Sequence, residues 1–156
     1  VLEAYVVNLT PILSDHKVIP LWTLPDKFGQ PVNMAKQRGR AHMLLLVLES
    51  GAAAATYLRD LAAATAEWSR LPARVMVVVP DEDIAGALGA LPFTIAIDEH
   101  NMVRQRFLPH GAVAGVFALD RYGELYHQWL IEDVAQLPPP DELDGWMQAI
   151  SMQCSV

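Results

Sequence analysis

The side chains of this sequence that are able to do chemistry are few and scattered. One cysteine, Cys154, stands near the C-terminus of the 156 residues, so no disulfide can form within the sequence as given. A thiol near the C-terminal end of a helix meets the negative end of the helix dipole. That predicts a sluggish Cys154, with a pKa near or above the ordinary value of about 8.5. A further cysteine beyond Val156 would turn Cys154-Ser155-Val156 into a C-x-x-C pair, and a redox or zinc role would then lie outside this stretch. The five histidines, His16, His42, His100, His110 and His127, form no short metal-ligand pair of the H-x-x-x-H kind. Glu99-His100 and His110 flank one predicted helix and read as a solvated loop pair. Asp81-Glu82-Asp83 has the composition of a metal cluster. It follows Pro80 and precedes Ile84-Ala85-Gly86-Ala87-Leu88, however, and acids in that position suit the positive end of a helix. Lys36, Arg38 and Arg40 read as a solvated turn rather than a phosphate site. Trp22, Trp68, Trp129 and Trp146 fall one to an element, the pattern of core or interface anchors rather than of a stacking platform.

The elements that would position such groups are easier to read. Met43-Leu44-Leu45-Leu46-Val47-Leu48 is an uninterrupted apolar run, which predicts a strand buried on both faces. Ser50-Gly51 closes it, and the alanines that follow open a helix from Ala53 to about Trp68, because alanine has the best helix propensity. Many α/β proteins place their chemistry at the N-terminus of such a helix. Here that place holds Gly51, four alanines and Thr56, and nothing nearby in sequence is an obvious base to activate the Thr56 hydroxyl. A second buried strand, Arg74 to Val79, is rich in β-branched residues. A strand–helix–strand unit of this length implies a parallel pair with a right-handed crossover.

Around this unit, Pro20 to Leu24 and Pro31 to Met34 flank the turn Pro25-Asp26-Lys27-Phe28-Gly29-Gln30 and predict a short β-hairpin. Gln37 to Arg40 is a loop. Phe93 to Ile97 is a short strand, followed by Asp98 and a helical turn through Met102, Val103 and Phe107. Val113 to Leu119 and Glu124 to Leu130 pair about the turn Asp120-Arg121-Tyr122-Gly123. Leu137 to Pro140 is a stiff linker, and Asp141 is expected to cap a last helix whose apolar face holds Leu143, Trp146, Met147 and Ile150. Residues 1–19 form an N-terminal extension whose elements the pattern does not assign, and residues 20–156 form one domain.

Composition narrows the class of function. More than half of the residues are apolar and the mean hydropathy is +0.22. No run approaches the roughly 18 apolar residues of a membrane span. The surplus therefore fits a buried sheet or a subunit contact. A net charge of −7 argues against nucleic acid and against anionic membrane surfaces. No signal peptide is visible, although the chain begins at Val1, and the cytoplasm is the expected compartment. No cofactor and no metal is expected.

The order of elements resembles the thioredoxin fold in its peroxiredoxin or redoxin branch, the alkyl hydroperoxide reductase and thiol-specific antioxidant type. Trp22-x-Leu24-x-Asp26 with Gly29 to Met34 is similar to that family's opening strand and turn. Arg38-Gly39-Arg40 before Leu44 to Leu48 resembles the approach to its first central strand. Ala96-Ile97-Asp98-Glu99 with Val103 to Phe107 resembles a later strand and short helix. Phe117 to Leu125 resembles its late hairpin and is the best single match. The resemblance implies a three-layer α/β sandwich around a central mixed sheet, with an N-terminal β-hairpin and a C-terminal helix.

The same resemblance implies a reactive thiolate at the start of the first long helix, and a cis-proline or an arginine before the late strand. The stretch from Ser50 to Tyr57 covers every register in which that cysteine could fall and contains none, and Ala114-Gly115 holds neither proline nor arginine. The expected site is therefore vestigial: Ser50, Gly51, Ala53, Thr56, Tyr57 and Ala114. The reading is a redox-inactive domain acting as a binding or assembly module. A homodimer or a protein partner is expected, and nucleic acid and membrane are not. A thiol oxidoreductase working through Cys154, or through cysteines outside this sequence, is the alternative.

Overall fold

In the computed structural model the described residues are 9–37, 39–49, 54–68 and 73–153. Five strands form the central sheet in the order β5-β4-β3-β6-β7. They are β3 (His42–Leu48), β4 (Ala73–Val79), β5 (Thr94–Ile97), β6 (Ala114–Leu119) and β7 (Leu125–Ile131). β3 pairs parallel to β4 and β4 to β5, while β6 runs antiparallel to both β3 and β7. The expected hairpin is a separate antiparallel pair, β1 (Thr23–Pro25) and β2 (Pro31–Asn33). Its turn is held by Asp26, whose Oδ1 accepts from the Phe28 and Gln30 amides, as an aspartate in a turn is suited to do.

Alternation along the strands explains why the central run is apolar throughout. Leu44, Leu46 and Leu48 face a core shared with Leu58 and Leu61 of α2 (Ala55–Thr65), Ala85 of α3 (Glu82–Ala87), and Leu143, Met147 and Ile150 of α5 (Pro140–Gln153). Met43, Leu45 and Val47 face a second core made by Trp22, Leu24 and Val32 of the hairpin segment and by Val103 and Phe107 of α4 (Met102–Phe107). A strand covered on both faces has no polar side to display. The result is helices on one side, the sheet in the middle, and α4 with the hairpin on the other. That is the three-layer arrangement expected above.

Several boundaries differ from the expectation. The long helix runs from Ala55 to Thr65 and ends in a 3-10 turn, Ala66–Trp68. Met34 does not extend the hairpin but opens a one-turn helix, α1 (Met34–Gln37). Asp141 does not cap α5. Pro140 is its first residue, a position where the missing N–H costs nothing, and the Pro139 carbonyl accepts from the Glu142 and Leu143 amides. Asp141 and Glu142 instead lie in the first turn and favour it by charge. Asp81 behaves as expected: it is the N-cap of α3, its carboxylate accepting from the Ile84 amide at 2.9 Å.

Of the N-terminal stretch left unassigned by sequence, the described residues include a strap beside β7. The His16 amide donates to the Leu125 carbonyl, the Leu125 amide to the Lys17 carbonyl, and the Ile19 amide to the Gly123 carbonyl. Ile19 is buried in the second core, and Leu9 and Leu13 pack on it.

Gly115 interrupts an otherwise apolar β6 for a steric reason. A Cβ there would stand 2.6 Å from Leu108 Cδ2 and 2.8 Å from the Phe117 ring, closer than real carbon atoms approach. Gly115→Ala is expected to lower the unfolding free energy by about 1–3 kcal/mol through overpacking, read as a lower urea midpoint.

Candidate functional site

β3, β4 and β5 end on one side of the sheet, and α2 begins there. The Glu49 amide, just past β3, donates to the Val113 carbonyl at 3.0 Å and so fixes where the loop leaves the sheet. Ser50, Gly51 and Ala53 lie outside the described residues, as does Cys154. Ala54 is the N-cap of α2 and offers no side-chain cap. Thr56, in the first turn, is exposed.

Tyr57 is brought to the same end but is tied off. Its hydroxyl donates to the Pro138 carbonyl at 2.6 Å. Burial, with a smaller contribution from the Glu142 charge, pushes its pKa far above the ordinary tyrosine value. A phenol held neutral in this way is a strut between α2 and the segment before α5, not a working acid or base. Ala114 is the first residue of β6, 2% exposed, opposite Leu48 on one side and Ile131 on the other. Its methyl belongs to the α2/α5 core, and no cis peptide occurs among the described residues. Of the six vestigial positions, the three described ones thus present an exposed hydroxyl, a tethered phenol and a buried methyl.

Sequence reasoning missed an ion pair at this end. The Arg104 guanidinium of α4 contacts the Glu49 carboxylate, both side chains about a third exposed. What places Arg104 is Asp98, 2% exposed. One oxygen of Asp98 accepts from the Met102 amide at 2.8 Å and the other from the Arg104 amide at 2.9 Å. Asp98 thereby satisfies first-turn amides that a short helix otherwise leaves open. A partly exposed pair of this kind contributes at most about 1 kcal/mol. Chemically the guanidinium offsets the charge of the acid and occupies one of its oxygens. The only signal in the sequence is a glutamate directly after a wholly apolar strand.

The histidines do not converge. His42 is buried at the opposite end of β3, and its Nδ1 accepts the Arg121 amide. His127 stacks on Trp146 at 4.4 Å and meets Trp129 edge-on, while His16 meets Tyr126. Among the described residues no group of three or more His, Cys, Asp or Glu is placed to hold a metal ion. No helix among them is long and apolar enough to cross a membrane.

No family model matches the sequence, and no curated protein matches it. Solved structures do. Mycobacterium tuberculosis AhpC superposes with a TM-score of 0.75 over 94% of this chain and 97% of its own, at 15% identity. Reduced Plasmodium vivax 2-Cys peroxiredoxin gives 0.73 over 89% and 97%, at 14% identity. A chain described as a candidate thiol:disulfide interchange protein, DsbE of Chlorobium tepidum, gives 0.70 over 88% and 98%, at 20% identity. At these identities the likeness establishes the thioredoxin-like fold. Chemistry has to be argued from the site.

Proposed function

We propose that this thioredoxin-like chain is a redox-inactive, peroxiredoxin-like domain that acts as a binding or assembly module. The observation that carries the reading is the absence of cysteine where β3 hands over to α2, the sole cysteine of the sequence being Cys154. Thiol chemistry on this fold needs a thiolate where the helix dipole and free backbone amides lower its pKa, and Gly51, the alanines and Thr56 supply none. Among the described residues at this end, the Tyr57 hydroxyl is bound to Pro138 and the Glu49 carboxylate is paired with Arg104.

A homodimer, or a complex with another protein, is the form in which such a module works. Phe28 and Met152 are each 76% exposed and Val18 55%, apolar side chains that a subunit contact would cover. A cytoplasmic home accords with a chain whose sole thiol has no partner within it. Sedimentation of the natural full-length protein is expected to show a species heavier than the 17.2 kDa monomer, and a monomer at every concentration would count against assembly with itself.

The second reading, a thiol-dependent antioxidant oxidoreductase using Cys154 or cysteines of a longer chain, rests on the likeness to peroxiredoxin and DsbE structures. Peroxide consumption with a dithiol reductant separates the two. On the module reading neither the natural protein nor its Cys154→Ser variant turns over peroxide above buffer. Turnover abolished by the serine would assign catalysis to Cys154, and turnover surviving it would assign catalysis to thiols elsewhere in the chain.

A further inference from the structure

We propose that His42 is a pH-sensitive latch: its neutral imidazole holds the β6–β7 turn, and through that turn the strap of residues 13–19, and protonation releases both.

The contact that makes the latch is specific to one protonation state. His42, the first residue of β3, is 4% exposed, and its Nδ1 accepts the Arg121 backbone N–H at 3.0 Å. An imidazole accepts at Nδ1 only when that nitrogen carries no proton, so the neutral ring bears its hydrogen on Nε2. A protonated ring presents two N–H groups and turns a donor–acceptor pair into a donor–donor clash.

What hangs on that bond is unusually dense. The Arg121 carbonyl accepts from the Gly39 amide at 2.6 Å. Asp120, next to it and 6% exposed, accepts from the Tyr122 and Glu124 amides through Oδ1. The carbonyl of Gly123, at the end of the turn, accepts the Ile19 amide, and Leu125 exchanges both of its outward backbone groups with His16 and Lys17. Further along the strap, Gln128 Nε2 donates to the Leu13 carbonyl and to Asp15. A charged His42 would draw the Asp120 carboxylate toward itself and away from the two amides that shape the turn.

The charges around His42 set the direction. Burial lowers its pKa below the ordinary 6.5, Asp120 raises it by a smaller amount, and the Arg121 guanidinium lowers it again. On the β4 side His42 pairs with Ala73, with Arg74 next in register, and the charged groups that act on it are Asp120 and Arg121 of the β6–β7 turn. With the folded pKa depressed, the neutral bonded form adds stability that is fully present above about pH 6.5 and is lost as the pH falls toward the folded value. Release therefore occurs on acidification, below the ordinary histidine value.

Backbone amide exchange by NMR, corrected for intrinsic rates and taken from about pH 7.5 to 5, tests the latch on the full chain. The wild type is expected to lose protection at Arg121, Ile19 and Leu125, steepening toward about tenfold per pH unit below the point where release sets in. Amides of the central β3–β4 pairing, such as that of Val77, should hold. His42→Asn, whose Oδ1 takes the place of Nδ1 and does not titrate, should keep the protection at all these pH values. A loss of the same size in His42→Asn, a loss spread evenly over the sheet, or no loss in the wild type would each overturn the proposal. A second measurement needs no variant: the Arg121 amide resonance should titrate with the same midpoint as the His42 ring nitrogens, and an Arg121 resonance indifferent to that titration would refute it.

Discussion

Phe117→Ala is expected to lower the unfolding free energy by about 3–5 kcal/mol. Phe117 lies in β6 with no exposure. Its ring meets Phe107 edge-to-face at 5.5 Å and 90°, a geometry in which the positive edge of one ring addresses the negative face of the other. It also fills the space left by the missing Cβ of Gly115. Truncation would remove the transfer energy of a large aromatic and leave a cavity between β6 and α4. Two close-packed walls cannot collapse into such a cavity. The check is a urea or guanidinium titration, in which the midpoint should fall while the slope stays constant.

Asp98→Ala is the second. Here the loss is polar: the Met102 and Arg104 amides would each lose a charge-assisted bond in a site where the acid is 2% exposed. A net penalty of about 2–3 kcal/mol follows if water reaches the freed amides only in part. The effect should also be local. α4 is six residues long, too short to hold itself together, so the amides of its first turn should exchange faster than the sheet. Loss of α4 register would also separate Arg104 from Glu49. Asp98→Asn, which keeps an accepting oxygen but no charge, should cost less than the alanine variant.

How much of this is legible in the sequence depends on how far apart the interacting residues are. The apolar run at β3, the β-branched β4, the acids at the start of α3 and the apolar face of α5 each carry their signal within one element, and each reads correctly in type. Asp26 reads as part of a turn because its partners, Phe28 and Gln30, are two and four residues away. The helix ends fail where two local rules compete: Asp141 looks like an N-cap until Pro140 takes the first helical position.

The long-range contacts leave almost no trace beyond a glutamate directly after an apolar strand. Nothing near Glu49 announces Arg104, nothing near Tyr57 announces Pro138, and His42 gives no hint of Arg121. Those three contacts decide what the candidate site and its opposite end are able to do. The strap of residues 13–19 is unreadable for a related reason: it is held mainly by backbone bonds to β7, which carry little side-chain signature. Of the candidate site itself, the sequence makes legible which residues it lacks. What fills their place at Tyr57 and Ala114 needs the fold.

The rate at which Cys154 in the natural full-length protein is oxidised by hydrogen peroxide tests most directly whether this chain works without an activated thiol, as proposed. Mass spectrometry with a sulfenic-acid trap follows the reaction, with free cysteine at the same pH as the reference. An ordinary thiol is expected, reacting no faster than free cysteine, because Cys154 follows directly in sequence on the last residue of α5, where the helix dipole disfavours a thiolate. A rate orders of magnitude above that reference would mean that a peroxidatic sulfur has been built at the C-terminal helix, and the domain would be a working enzyme after all.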